Sequence, residues 1–389
     1  MITILLWVAV FLITHTYILY PFYLLYVRKN NTSLPVIDPS VNYSPTVSII
    51  LACYNEDKIL HKKLLSLLNT NYPKDKLEIL IGSDASTDNT NKVIQSFAEK
   101  HNIISPYYFK KREGKTGVIN KLVGKSTGDI LLFTDSNILF RRSTIQNLTN
   151  PFSKPSIGLV AGNIINYNLK KDGISLQEEK YTSLENKIKY KEGIIWGTMI
   201  GAFGGIYAIR EELFPYPPNN VIVDDFYVSM SVLEQGQDAI LTLDALVHED
   251  VSNKSFEEFK RKKRIATGNF QNLIRFRKLL ISKRKGLAFS FWSHKVLRWL
   301  GPLFLITILL SNLYLVKNNN FYFFLLIGQL FLYSLALIEL AFRKLNIHFF
   351  GLRFITHFLV MNGALFIGLW NFVFQKKNNG IWEPTKRLQ

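Results

Sequence analysis

Four stretches of this 389-residue chain carry no Asp, Glu, Lys or Arg: residues 2–20 at one end, and 299–316, 321–338 and 354–374 at the other. The hydrocarbon core of a bilayer is crossed by roughly 20 apolar residues in a helix. Each stretch is therefore read as a membrane-crossing candidate, and the polar residues between 28 and 298 as a domain outside the bilayer. No basic region precedes 2–20 and no small-residue cleavage site follows it, so an uncleaved span is expected rather than a signal peptide. Lys and Arg favour the cytoplasmic side. The central segment is rich in both, which places it inside and the N-terminus outside. Three closing spans would then leave Lys376, Lys377, Lys386 and Arg387 outside, against the same rule. One apolar segment is accordingly expected to be re-entrant or interfacial.

The net charge of +18 suits contact with anionic lipid. It would suit nucleic acid too, but no nucleic-acid module is present, so none is expected as a partner. The single cysteine, Cys53, excludes an intrachain disulfide and a cysteine-based zinc site. Its apolar surroundings predict a buried structural role.

Short apolar, β-branched runs at 47–52, 77–82 and 129–134 predict buried strands, with a weaker one at 105–109. Helical spacing fills the intervals, at 58–68, 90–100 and 116–124. Such alternation predicts a mostly parallel sheet flanked by helices. In open α/β sheets, ligands bind beyond the carboxyl ends of the strands. Three polar clusters fall there: Tyr54–Glu56, Ser83–Asp88 and Asp135–Asn137. One alone reads as a turn capping the next helix; three together predict a site. Asp88, before Thr90, is read as a cap. His248 follows a predicted strand and is read as structural.

Cys-Tyr-Asn-Glu at 53–56, Asp84-Ala-Ser-Thr-Asp88, Arg112-Glu-Gly-Lys115, Thr-Asp135-Ser-Asn137, Gly201–Arg210, Val223-Asp224-Asp225 and Glu249 together resemble a family 2 glycosyltransferase of the GT-A fold. With the apolar ends, the chain is most similar to the branch of cellulose, chitin, hyaluronan and poly-N-acetylglucosamine synthases. The resemblance implies an α/β GT-A domain, a mostly parallel central sheet with flanking helices, plus transmembrane α-helices. The expected layout is a transmembrane helix at 1–27, a cytoplasmic catalytic domain at 28–285, and an interfacial helix with transmembrane segments and a short basic tail at 286–389. The expected location is the cell (inner) membrane.

The same resemblance implies the site. Asp84, Tyr54 and Glu56 take the uridine pocket, and Lys115, with Arg112 beside it, takes the diphosphate, where a compact cation offsets phosphate charge. Asp135 binds Mg²⁺ or Mn²⁺, hard cations that accept one or two carboxylates plus substrate phosphates. Asn137 stands where the family has a second Asp, and it offers a neutral carbonyl. Asp225, with Asp224 adjacent, takes the place of the base that deprotonates an acceptor hydroxyl. Arg264 matches the arginine of the Gln-x-x-Arg-Trp segment. Arg261 and Ile265 replace its Gln and Trp, and Ile offers no aromatic face for an acceptor sugar.

The implied reaction is inverting transfer of a hexose, N-acetylglucosamine or glucose, from a UDP-sugar to a glycan or lipid-linked acceptor. Polymer synthesis and single-sugar addition both remain open at this point, as does a non-catalytic subunit of a secretion complex. Residues 285–298 interleave aromatic and basic side chains, which reads as an interfacial amphipathic helix. Residues 381–387 resemble a tail found in related transferases, with Trp382 as a membrane anchor.

Overall fold

The computed structural model describes residues 1–26, 43–167, 175–250, 255–317, 319–345 and 350–374. Arg28–Lys29, the basic tail and the Trp382 segment lie outside them. The chain opens with α1 (Ile2–Thr14), a π-helical turn (His15–Leu19) and α2 (Tyr20–Tyr26), which run on as one apolar helix. Then come β1 (Val47–Cys53), α3 (Asp57–Leu68), β2 (Leu77–Asp84), α4 (Thr90–Ala98), β3 (Ile104–Phe109), α5 (Gly114–Val123) and β4 (Ile130–Thr134). The second half continues with β5 (Ile138–Phe140), α6 (Thr144–Thr149), β6 (Ile157–Tyr167), α7 (Ser175–Trp196), β7 (Ile206–Arg210), α8 (Asp224–Glu234), β8 (Asp238–Asp250) and α9 (Ser255–Arg275).

The strands form one sheet in the order β3-β2-β1-β4-β7-β6-β8-β5. Its first half is parallel, as the alternating pattern predicts: β1 lies between β2 and β4, with Val47 opposite Leu77 and Ile130. The second half is mixed. β7 is antiparallel to β4 and β6, and β5 to β8, while β6 and β8 run parallel. Every residue of β1 is buried, because helices cover both faces of the sheet. On one face, Leu60, Leu64, Ile94 and Ile145 pack over the strands. The other face packs under Val118, Phe226 and Met230, and that core continues into Phe291 and Trp299 near the membrane helices. The hydrophobic core therefore does not stop where the apolar C-terminal third begins.

That third holds α10 (Lys285–Ser290), a π-helical turn (Phe291–Val296), α11 (Leu297–Trp299), α12 (Gly301–Leu315), α13 (Asn320–Lys344) and α14 (Phe350–Phe374). Among the described residues, three helices are long and apolar enough to cross a membrane: residues 2–26, 320–342 and 351–374. The segment read as a span at 299–316 differs. It is half of a pair, 285–299 and 301–315, bent by 60°. Leu300 and Pro302 stand at the bend; proline supplies no N–H and leaves a break in the backbone ladder.

The cations of 285–298 also sort unlike those of a helix lying among headgroups. Phe289 and Trp292 are exposed, but His294 is fully buried and Arg298 nearly so. Glu185 and Glu192 of α7 receive them. His294 bridges the two carboxylates at 3.0 and 2.8 Å, and Lys295 and Arg298 both pair with Glu185. The two π-helical turns meet at the same place, where Thr16 donates to the Ser293 carbonyl at 2.7 Å.

Candidate active site

The carboxyl ends of β1, β2 and β4 carry the three polar clusters, and backbone strain marks two of them. Asn55 and Ala85 hold φ of 53° and 56°, a left-handed region uncommon for residues with a Cβ. Side-chain bonds stitch these loops together. The Asn55 carbonyl oxygen accepts from the Thr87 N–H at 2.8 Å, and the Glu56 N–H donates to Thr90 Oγ1 at 2.8 Å. Asp88 accepts from the N–H groups of Thr90 and Asp57, at 3.0 and 3.2 Å, so it serves the starts of two helices.

Asp84 is 2% exposed. Its carboxylate accepts from Arg112 Nε at 2.9 Å and from the N–H groups of Glu113 and Gly114 at 2.6 and 3.1 Å. The left-handed Gly114 (φ 76°) gives the loop that shape. The Arg112 guanidinium also stacks 3.4 Å from the Tyr54 ring centre. Tyr54, Asp84 and Arg112 thus form one corner beside the main cavity. Three of about four acceptor positions on Asp84 are used within the chain.

The cavity itself holds about 1000 Å³. Glu56, Lys115, Asp135, Asn137, Asp224, Asp225 and Arg264 all line it. Lys115 is the bridge between them. Its Nζ lies 2.8 Å from Asp135 Oδ1 and 3.9 Å from Asp224 Oδ2. Burial alone would lower this lysine, but Asp135 and Asp224 more than offset it and hold the ammonium above its ordinary range. The Asp135–Asn137 turn is clamped from beneath by Lys63 of α3. That ammonium, fully buried, donates to Thr134 Oγ1 at 2.7 Å and to the Ile138 carbonyl at 2.6 Å, one at each end of the turn.

Asp225 opens α8 beside Asp224. Its Oδ1 accepts from the Phe226 N–H at 2.7 Å. A Cβ on Gly204 would stand 2.8 Å from Asp225 Oδ2, so only glycine leaves that oxygen room. Burial first, then the Asp224 charge, pushes Asp225 up to about 6. A carboxylate tuned toward neutrality in a cavity fits proton abstraction. Burial lowers Arg264, which pairs with no carboxylate among the described residues.

The donor set suits a divalent cation that arrives with phosphates. Asn137 Nδ2 donates to Glu249 Oε1 at 3.0 Å, which leaves the amide oxygen for a cation. Ser136 Oγ between them is buried without a partner. Among the described residues, no group of three or more His, Cys, Asp or Glu side chains forms a metal cluster. One carboxylate and neutral oxygens hold such an ion weakly unless substrate oxygens complete the shell.

His248 stays out of the cavity lining, and Arg141 Nε donates to its Nε2 at 3.0 Å. Ile265 and Arg261 do line the cavity, the latter 3.6 Å from Glu258. Pattern reading passed over Lys63 and the whole of α7. Lys63 stands with Leu60, Leu64 and Leu67 on the buried face of α3, a position that signals a buried ammonium once the helix phase is known. The π-helical turns left no signal in composition.

Residues 48–214 match the family model described as glycosyl transferase family 2. A poly-beta-1,6-N-acetyl-D-glucosamine synthase of Staphylococcus epidermidis is 24% identical over 366 residues, covering 88% of this chain and 87% of the relative. The probable glycosyltransferase YdaM of Bacillus subtilis is 31% identical over 96 residues, and this match spans only 23% of that relative. In fold, the chain is similar to the mannosyltransferase PcManGT from Pyrobaculum calidifontis, solved with GDP-Man and Mn²⁺. The TM-score is 0.71 at 21% identity, with 96% of this chain and 100% of that one covered.

Proposed function

From the premise that this chain is a glycosyltransferase carrying a family 2 domain, we propose that it moves a hexose from a UDP-sugar to an acceptor hydroxyl at a membrane, with inversion. The observation that carries this reading is the single cavity in which Lys115 joins Asp135 to Asp224, with Asp225 raised to about 6 beside them. Asp225 takes the acceptor proton as the oxygen attacks the anomeric carbon. Lys115 and Arg264 meet the diphosphate that leaves. Donor binding transfers the Lys115 ammonium from carboxylate to phosphate, with little change in its charge environment. The Tyr54–Arg112–Asp84 corner takes the base, with Glu56 at the cavity edge. Asp135 and the Asn137 carbonyl hold Mg²⁺ or Mn²⁺. When bound, such an ion offsets the negative charge that grows on the leaving diphosphate.

N-acetylglucosamine or glucose is proposed as the sugar, on the long alignment with the staphylococcal synthase. The complex of the archaeal neighbour makes GDP-mannose the donor to compare. Addition of one sugar, rather than processive synthesis, is favoured by Ile265, which lines the cavity without an aromatic face. The catalytic domain is proposed to face the cytoplasm from the cell membrane. A screen of UDP-N-acetylglucosamine, UDP-glucose and GDP-mannose, read as nucleotide release by the purified full chain with product sizing, tests all three points. Turnover with one UDP-sugar, abolished in Asp225→Asn, and short products are expected. No turnover with any donor, or equal turnover in the variant, overturns the reading; a ladder of long products overturns single addition.

A further inference from the structure

Part of the cavity wall has no role in the nucleotide chemistry above. Lys189 of α7, Lys295 and Arg298 line it, as do Tyr17 of the first helix and Phe354 and Phe358 of α14. The cations and the apolar residues are neighbours. The Arg298 guanidinium lies 5.6 Å from the centre of the Tyr17 ring, which meets Phe358 edge-on at 5.1 Å.

The charges here do not balance. Glu185 accepts from His294, Lys295 and Arg298. Glu192 accepts from the Tyr20 hydroxyl, the Ile200 N–H and the other His294 nitrogen. Carboxylates only accept, so the ring that satisfies both is the one with both nitrogens protonated. Two carboxylates thus face four cationic groups. Lys189 is left over. It is 2% exposed, its ammonium lies 3.3 Å from the centre of the Phe203 ring, and it makes no hydrogen bond or ion pair among the described residues. A buried ammonium without an acceptor is costly. Phe203 also precedes Gly204, the residue against Asp225 Oδ2, so this cation borders the reacting end of the cavity.

We propose that this part of the cavity binds the acceptor through a phosphate group borne on a hydrocarbon chain, with Lys189 as the cation that the phosphate claims and Arg298 and Lys295 beside it. The phosphate is a handle, and the hydroxyl that reacts belongs elsewhere on the same acceptor. Three donors on one ammonium match phosphate oxygens, and neutral sugar hydroxyls would leave the excess charge uncompensated. The apolar wall of α14 selects a lipid over free phosphate. Burial brings Lys189 down to about 7, and an anion at its side would restore it. The inference rests on the glycosyl-transfer reading and names its acceptor class.

Binding of farnesyl phosphate, farnesol and inorganic phosphate to the full chain in mixed micelles tests it, with UDP and Mn²⁺ present to fill the donor end. Farnesyl phosphate is expected to bind at least about tenfold more tightly than farnesol. Lys189→Met should bring the two within about twofold, while Lys189→Arg keeps most of the preference. Thermal melting of each variant checks that it is folded. Equal binding of phosphate and alcohol by the wild type overturns the proposal, as does a preference that survives in folded Lys189→Met. Inorganic phosphate binding as tightly as farnesyl phosphate assigns the site to a free anion and overturns the lipid. None of these outcomes depends on turnover, so a failed handle leaves the transfer reading standing, and a failed donor screen leaves the binding result readable.

Discussion

Asp225 shows how one side chain trades stability for reactivity. Its carboxyl is raised from 3.8 to about 6 by burial and by Asp224. A raised carboxylate costs the fold most above the raised value, and the cost vanishes below the unfolded one. Asp225→Asn is therefore expected to stabilise the chain by about 2–3 kcal/mol near pH 8 and not at all below pH ~4, read as thermal midpoints across that range. The same variant should lose on the order of 10²–10⁴ in kcat. In the wild type, kcat/KM should fall as pH drops through about 6, because the base becomes protonated. Gly204→Ala probes the same oxygen without touching its charge. The new methyl group displaces Asp225, and a loss of about 10²-fold in kcat is expected, with the pH profile still tied to one carboxyl. At this scale the sequence was informative. Lys115, Asp135, Asn137, Asp224, Asp225 and Arg264 were all picked out in advance and all reach one cavity. Asp84 was picked out too, but its bonds to the 112–114 loop are invisible without the backbone.

Among the elements, what was legible depended on how each one buries its surface. β1, β2 and β4 are covered on both faces and read as continuous apolar runs. β8 carries exposed and half-buried residues among its buried ones, and β7 is short, so neither stands out from its neighbours. The antiparallel half of the sheet was missed for that reason. α7 is the instructive case. Its buried positions include Gln177, Glu178, Glu185, Asn186, Lys189 and Glu192. A search for an apolar stripe passes over a helix whose inner face is polar, because the partners of that face come from 285–298. Burial by itself would raise Glu185, yet Lys295, His294 and Arg298 hold it well below the usual carboxylate range. Removing it strands those cations. Glu185→Ala is expected to cost about 3–5 kcal/mol, measured as a lower thermal midpoint in detergent. Equal midpoints for variant and wild type would remove the network from the account of stability.

Over the whole molecule, the bend at 301 bears on a conflict already present in the charges. Four full crossings would set the basic tail on the side opposite the catalytic domain. If residues 285–315 enter and leave on one side, three crossings remain, and the tail joins the domain, as its lysines and arginines favour. Cys53 is buried, so a cysteine placed in the tail is the only reactive one expected. With Leu388→Cys in intact cells, a membrane-impermeant maleimide is expected to label only after permeabilisation; labelling beforehand would restore the fourth crossing. The cavity has a consequence of another kind. Part of its wall comes from the sheet's loops and part from helices that can lie in lipid. On the proposed reading, one substrate is then counted per litre and the other per unit of membrane area. Initial rates should follow the mole fraction of acceptor in the micelle, falling when inert detergent is added at constant acceptor molarity, and the Michaelis constant for acceptor becomes a two-dimensional density.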